Sequence, residues 1–212
     1  MFNFRSTPEP VTAQTALPGR ANRPFSLAAQ HLVTGNPLET DPPAGMDVAV
    51  FGLGCFWGEE QTFWQIPGVW STTVGYAGGF TPNPSYEEVC SGLTGHAEVV
   101  RVIFDPSQVR FQDLLAVFWE NHDPTQGMRQ GNDRGTQYRS IILATNAEQL
   151  ALAEQSRERF QAVATQAGYG QITTEISPLS DYWYAEDYHQ QYLVKNPGGY
   201  CPLHATGLRY DA

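Results

Sequence analysis

The chain has 212 residues, with 22 acidic against 12 basic side chains and a formal net charge of −10, a balance that repels phosphate backbones and anionic lipid surfaces and argues against nucleic acid as a partner. No apolar run approaches the roughly 18 residues of a membrane span, and Met1-Phe2-Asn3-Phe4-Arg5-Ser6 lacks the apolar stretch of a secretory signal, so a soluble, cytoplasmic protein is expected. Three cysteines, Cys55, Cys90 and Cys201, are too few and too scattered for a disulfide framework.

Residues 1–45 hold almost half of the prolines and no sustained period, which predicts an extended arm, partly docked through Phe25, Leu27 and Leu32 and without catalytic groups, His31 included. Residues 46–212 then read as one domain. Asp47 to Leu53 is a buried-strand pattern that breaks at Gly54, and a helix beginning at Cys55 runs to Gln65, where Pro67 and Gly68 stop it. Val69 to Tyr76 is a second strand, closing on Ala77-Gly78-Gly79. A turn and a short helix ending near Cys90 follow, capped by Ser85, or by Asn83 with Pro84 at the first helical position. Ala97 to Phe104 alternates as a third strand, with Glu98 near its start.

Phe111, Leu114, Leu115 and Phe118 make the apolar stripe of a helix reaching about Asn121. His122 to Gln137 is a long polar loop, of the kind that is functional or disordered. Tyr138 to Ala144 is the next strand. The helix after Asn146 shows Leu150, Ala153, Phe160, Val163 and Ala167 on one face, and Ile172 to Ile176 is a further strand. Tyr182 to Tyr192 reads as one short aromatic helix, and Asn196 to Pro202 as a mobile tail carrying Cys201. Strand, helix, strand, strand, helix, strand is the order of a split βαβ, so the predicted fold is α+β: a ferredoxin-like plait with an added helix and strand, an N-terminal arm and an irregular C-terminal tail.

A thiol in the first turn of a helix is biased toward thiolate by the unpaired N–H groups there. Phe56 and Trp57 directly after Cys55 suggest a small apolar pocket, although the same five residues also fit a buried cysteine among core aromatics. Cys201 lies where a flexible segment could bring a second sulfur to the first, and a thiolate that is oxidised and then resolved is a redox cycle. Cys90, on a predicted helix, reads as structural. Glu98 is a candidate acid if apolar neighbours raise its pKa, against the plainer reading of a solvated strand-edge carboxylate. Tyr86 and Tyr138 could hold a polar oxygen, or simply pack. Asp133 lies in the long loop. His96, His122, His189 and His204 read as supporting or surface groups, since no pair has metal-ligand spacing.

Seven blocks carry a family resemblance: Gly54-Cys55-Phe56-Trp57-Gly58-Glu59-Glu60, Gly75-Tyr76-Ala77-Gly78-Gly79, Pro84 to Gly92, Thr94 to Glu98, Phe118 to Pro124, Gly131 to Ser140 and Ala185 to Tyr192. In this order, spanning about Met46 to Cys201, they resemble the A-type peptide methionine sulfoxide reductases. The resemblance implies Cys55 as nucleophile and Phe56 and Trp57 as the pocket for the S-methyl group. It also implies Glu98, Tyr86 and Tyr138 as the set that binds and protonates the sulfoxide oxygen, Asp133 as a supporting carboxylate, and Cys201 as the resolving cysteine. It further implies no bound cofactor or metal, thioredoxin as external reductant, specificity for the S epimer whether free or in proteins, and a role in repair after oxidation. A monomer is expected. The chain ends Gly207-Leu208-Arg209-Tyr210-Asp211-Ala212, without the extra cysteine that some members carry, which implies a two-cysteine cycle. Rival readings are a binding module with an inert Cys55, a thiol peroxidase and a Cys-His hydrolase.

Overall fold

The alternation of β1 (Asp47–Gly52) sets two apolar faces, and the rest of the chain is folded to cover both. The computed structural model describes residues 11–200 and 204–210. On one face Phe51 stacks on Phe63 at 5.2 Å, on Phe111 at 6.0 Å and tilts onto Phe118 at 5.6 Å, seeding the main core. On the other, Val50 joins Ala77, Ala97, Val99, Ile141 and Leu143 in a smaller cluster.

After β1 come α1 (Phe56–Trp64), β2 (Val69–Ala77), α2 (Tyr86–Cys90), β3 (Ala97–Phe104) and α3 (Phe111–Glu120). A small hairpin, β4 (Arg129–Gln130) and β5 (Asp133–Arg134), precedes a 3-10 turn at Thr136–Tyr138. Then follow β6 (Ile141–Ala144), α4 (Ala147–Gln166), β7 (Glu175–Pro178), β8 (Tyr182–Tyr184) and α5 (Tyr192–Lys195). The main sheet has the order β7-β6-β1-β3-β2-β8 and is antiparallel except where β6 meets β7. The result is a mixed α+β fold, with the strands ending around Gly54, Ala97 and Tyr138.

Several expectations are corrected. Tyr138 belongs to the 3-10 turn and not to β6, and the strand expected at Ile172 to Ile176 begins at Glu175. The long polar loop is ordered by its own side chains: Gln126 Oε1 accepts the Gly131 N–H at 2.8 Å and Gln130 Nε2 donates to the Asp123 carbonyl at 2.9 Å. The buried face of α4 is Gln149, Ala153, Ser156, Phe160 and Ala164, rotated from the predicted stripe because Ser156 is drawn inward by the Trp119 indole N–H at 2.9 Å.

The stretch from Tyr182 is a strand and turns, not one helix. Tyr182, Trp183 and Tyr184 pair with Ala77, Tyr76 and Gly75, and the Gln190 amide then imitates a strand, accepting the Val74 N–H at 2.9 Å and donating to the Val74 carbonyl at 2.8 Å. The arm docks, but through Leu38 and His31, both about 1% exposed, while Leu32 is 54% exposed. Ser85 caps α2 in a reciprocal capping box with Glu88, and Asn83 instead sits in left-handed backbone at φ 47°.

Candidate active site

Cys55 is the N-cap of α1. The turn that delivers it passes through Gly54 at φ 132°, where a Cβ would lie 2.8 Å from the Gln130 side chain, so only glycine lets β4 pass this close. Two buried carboxyls hold the turn at its ends: Leu53 N–H donates to Glu59 Oε1 at 2.6 Å, and Phe56 N–H to Glu98 Oε2 at 3.2 Å.

Cys55, Trp57, Tyr86 and Glu98 line a cavity of about 170 Å³ that is closed by Asp133, Tyr138 and Tyr200. Residues from α1, α2, β3, β5, the 3-10 turn and the C-terminal segment thus converge on one sulfur. Phe56 does not line this cavity; it is fully buried, with its ring 5.1 Å from His189 and 5.9 Å from Tyr76. Trp57 forms the wall, stacked on Tyr192 at 3.8 Å and donating its indole N–H to His189 Nδ1 at 3.0 Å. Glu186 anchors the opposite wall, accepting the Tyr86 backbone N–H at 2.8 Å and the Tyr76 hydroxyl at 2.9 Å.

The electrostatics differ from the expectation of a thiolate. Burial, then the carboxyl of Glu98, pushes the Cys55 thiol up, and the N–H of Trp57 pulls only partly the other way. Burial likewise raises Glu98 to about 8, against the Phe56 hydrogen bond, so the carboxyl holds its proton at neutral pH. Glu59 is raised well above its ordinary value by burial, and its Oε2 has no hydrogen-bond partner among the described residues. The tyrosines Tyr86 and Tyr138 are also held neutral by burial, and so remain hydroxyl donors. Asp133 is raised by burial, accepts the Tyr200 hydroxyl at 3.3 Å through Oδ1, and has no partner for Oδ2 among the described residues. At neutral pH the site therefore presents a neutral Cys55 thiol, a protonated Glu98 and the hydroxyls of Tyr86 and Tyr138.

Six of the eight residues singled out in the sequence line this one cavity. Phe56 sits behind it and Cys201 lies outside the described residues, although the preceding Tyr200 is at the cavity. Cys90, read from the sequence as structural, is free and exposed at the end of α2. His96 and His122 are buried structural groups, the first holding Gly79 N–H and the Thr81 carbonyl, the second the Phe118 carbonyl and Ser140. Sequence reasoning gave no site role to Glu59, Glu186, Tyr192 or Tyr200, and read His189 as a supporting or surface group. Glu59, Glu186, His189 and Tyr192 fall inside two of the seven resemblance blocks, whereas Tyr200 was signalled by the crowding of aromatics from Tyr182 onward.

The family model for peptide methionine sulfoxide reductase matches residues 47–211. A peptide methionine sulfoxide reductase MsrA of Azotobacter vinelandii is 64% identical over 201 residues, covering 95% of this chain and 91% of that protein. Among solved structures, methionine sulfoxide reductase A of Corynebacterium diphtheriae is 46% identical with a TM-score of 0.86, covering 94% of this chain and 97% of its own. Mxr1 of Saccharomyces cerevisiae in reduced form is 36% identical with a TM-score of 0.71, covering 80% of this chain and 96% of its own, and Mxr1 has also been solved in complex with Trx2. With a neutral thiol and a protonated carboxyl facing one small cavity, and with these likenesses along nearly its whole length, the chain belongs to the A-type peptide methionine sulfoxide reductases, oxidoreductases that reduce methionine sulfoxide.

Proposed function

We propose that the protein reduces methionine-S-sulfoxide, free or in proteins, by a two-cysteine cycle centred on Cys55. The observation that carries this reading is the convergence of Cys55 and Glu98 on a single cavity. A sulfoxide oxygen leaves its sulfur poorly until protonated, and the attacking group must be a sulfur anion, so one pocket has to supply both. Because burial keeps both groups neutral, the proton inventory is complete before substrate arrives. The sulfoxide oxygen takes the Glu98 proton, assisted by the hydroxyls of Tyr86 and Tyr138, while Cys55 attacks sulfur and passes its own proton to the Glu98 carboxylate. The S–O bond and the new Sγ–S bond then open as the hydroxyl passes to Cys55, one electron pair forming the Sγ–O bond of the sulfenic acid and the other staying on the methionine sulfur, which leaves as the thioether.

Cys201 then condenses with the sulfenic acid, expelling water and forming the Cys55–Cys201 disulfide, and an external dithiol restores both thiols. Thioredoxin is the reductant we assign, in keeping with the solved complex of Mxr1 with Trx2. Trp57, set by Tyr192, with Phe56 behind, receives the S-methyl group, and Asp133 supports the polar rim. Methyl, sulfur and oxygen fixed at three points favour one epimer. No bound cofactor enters this scheme, and we place the enzyme in the cytoplasm as a monomer.

Residues 46–212 form the catalytic domain of this reading, and the four central strands of its six-stranded sheet, in the order β6-β1-β3-β2 with α1 and α3 in the connections, support a ferredoxin-like plait at its centre.

A single-turnover assay on the two epimers of a methionine sulfoxide peptide, followed by mass analysis of the cysteines, tests the proposal. One equivalent of the S epimer should be consumed, leaving the Cys55–Cys201 disulfide, and the R epimer should persist. Cys201→Ser should stop at the sulfenic acid and lose turnover with thioredoxin. Equal consumption of both epimers, or a thioredoxin-driven rate unchanged in Cys201→Ser, would reject it.

A further inference from the structure

The Trp57 wall of the cavity rests on Tyr192, and Tyr192 follows Gln191, a non-glycine residue in left-handed backbone at φ 47°. Such a conformation persists only where surrounding contacts hold it. Here Glu60 on α1 holds it twice, Oε2 accepting the Gln191 backbone N–H and Oε1 its side-chain amide, each at 2.7 Å. Glu60 Oε1 also accepts the Thr72 hydroxyl at 3.1 Å.

Thr72 in turn is tied to the N-terminal arm, its Oγ1 lying 2.9 Å from His31 Nε2. The tautomer follows from the other ring nitrogen, because His31 Nδ1 accepts the N–H groups of Val33 at 3.0 Å and Thr34 at 3.2 Å. Nε2 therefore carries the hydrogen and donates to Thr72, which donates onward to Glu60. A second strand of the link is Leu32 N–H, donating to Gln191 Oε1 at 3.4 Å. His31, Glu60, Thr72 and Gln191 are all at most 1% exposed, so the whole chain of bonds runs through the dry interior.

We propose that His31 is a positioning residue for the methyl pocket: through Thr72 and Glu60 the arm fixes Gln191, and with it the Tyr192 ring against which Trp57 is set. The identity of the pocket rests on the function proposed above, but the mechanical link from arm to indole does not. The arrangement has a polarity. Every partner of Glu60 donates, so the ionised carboxyl suits the network best, and protonation weakens these bonds and adds a proton that none of the partners accepts. Burial raises Glu60 to about 7, opposed by Gln191, Thr72 and Lys195 of α5. The other titratable groups facing it are His31, 3.9 Å away on the arm, and Tyr182 on β8. The link is thus tight above about pH 7 and slack below it.

Two substitutions separate hydrogen bonding from packing. His31→Phe keeps the edge-on contact with Trp64 and loses the donor, whereas His31→Gln keeps a donor and an acceptor. With a methionine-S-sulfoxide peptide, His31→Phe should raise KM roughly threefold to tenfold, the worth of one hydrogen bond, with kcat little changed. His31→Gln should stay near the wild type. Independently of turnover, NMR exchange of the five indole N–H groups should show the Trp57 proton exchanging faster in His31→Phe and not in His31→Gln. If His31→Phe fails to fold, Thr72→Val should reproduce both effects. Wild-type indole exchange in these variants, or equal effects of His31→Phe and His31→Gln, overturns the link, while an inactive wild type with altered indole exchange overturns only the assigned reaction.

Discussion

Glu98 is fully enclosed, with one oxygen on the Phe56 N–H, and burial, helped by the nearby Asp133 carboxyl, lifts it to about 8 against that hydrogen bond. A carboxyl whose folded value lies above neutrality is an acid at physiological pH and a carboxylate beyond it. The reductive step should therefore be flat up to about pH 8 and fall above it, measured as single-turnover rate against pH. Glu98→Gln, which cannot give up a proton, should lower that rate by about 10²-fold or more and abolish the alkaline limb while leaving Cys55 alkylation intact. An unchanged rate would remove Glu98 from the mechanism. Burial, which makes the acid, also suppresses the Cys55 thiolate that a helix start alone would favour.

At the scale of elements, the site is made where strand ends, a helix start and two irregular segments meet, and the segments are held by side chains that replace backbone pairing. Gln190 is the clearest case. Its amide bonds Val74 on both sides and also donates to the Ala185 carbonyl at 2.9 Å, closing the open edge of β2 beyond β8. Gln190→Ala should leave the Val74 N–H and the Ala185 carbonyl unpaired, while the Val74 carbonyl keeps the Ala185 N–H at 3.0 Å, and cost about 2–4 kcal/mol, at roughly 1–3 kcal/mol per unsatisfied group with partial relaxation. Denaturant titration would show it as a lower midpoint, and because His189 and Tyr192 flank the residue, KM should rise as well. A midpoint within error of the wild type would mean that water replaces the amide.

For the molecule as a whole, buried ionisable groups set the pH range of stability. Burial lowers His31, His122 and His189 to about 4 from 6.5, so the folded state binds fewer protons than the unfolded between those values, and this contribution is lost as pH falls. Burial raises Glu60 to about 7 and Glu98 to about 8 from 4.5, and Glu59 in the same direction, so the folded state binds more protons there and stability falls as pH rises. The two sets oppose each other between about pH 4.5 and 6.5, and only the carboxyls act above. Calorimetry at constant ionic strength should find the Tm on a plateau in mildly acidic buffer and declining from about pH 6.5 through 8. A Tm rising across the latter range would contradict the buried-acid assignment.

The periodicity of Asp47 to Leu53, Ala97 to Phe104 and Phe111 to Phe118, and the punctuation by Gly54, Pro67 and Gly68, were enough to fix strand and helix there, because those segments bury one face by a local rule. The seven blocks around Cys55 and Glu98 carried the family resemblance, and the roles proposed for the two residues follow from that likeness together with the few side chains able to attack sulfur or donate a proton. Tertiary structure alone decided the rest. Whether Glu98 is a solvated carboxylate or a buried acid depends on what covers it. Tyr182 to Gln191 takes its shape from the edge of β2, contributed by residues more than 100 positions earlier. His31, silent in the sequence, gains its place only when the arm folds back onto Thr72, since burial and hydrogen-bond partners are properties of neighbours in space and not of neighbours along the chain.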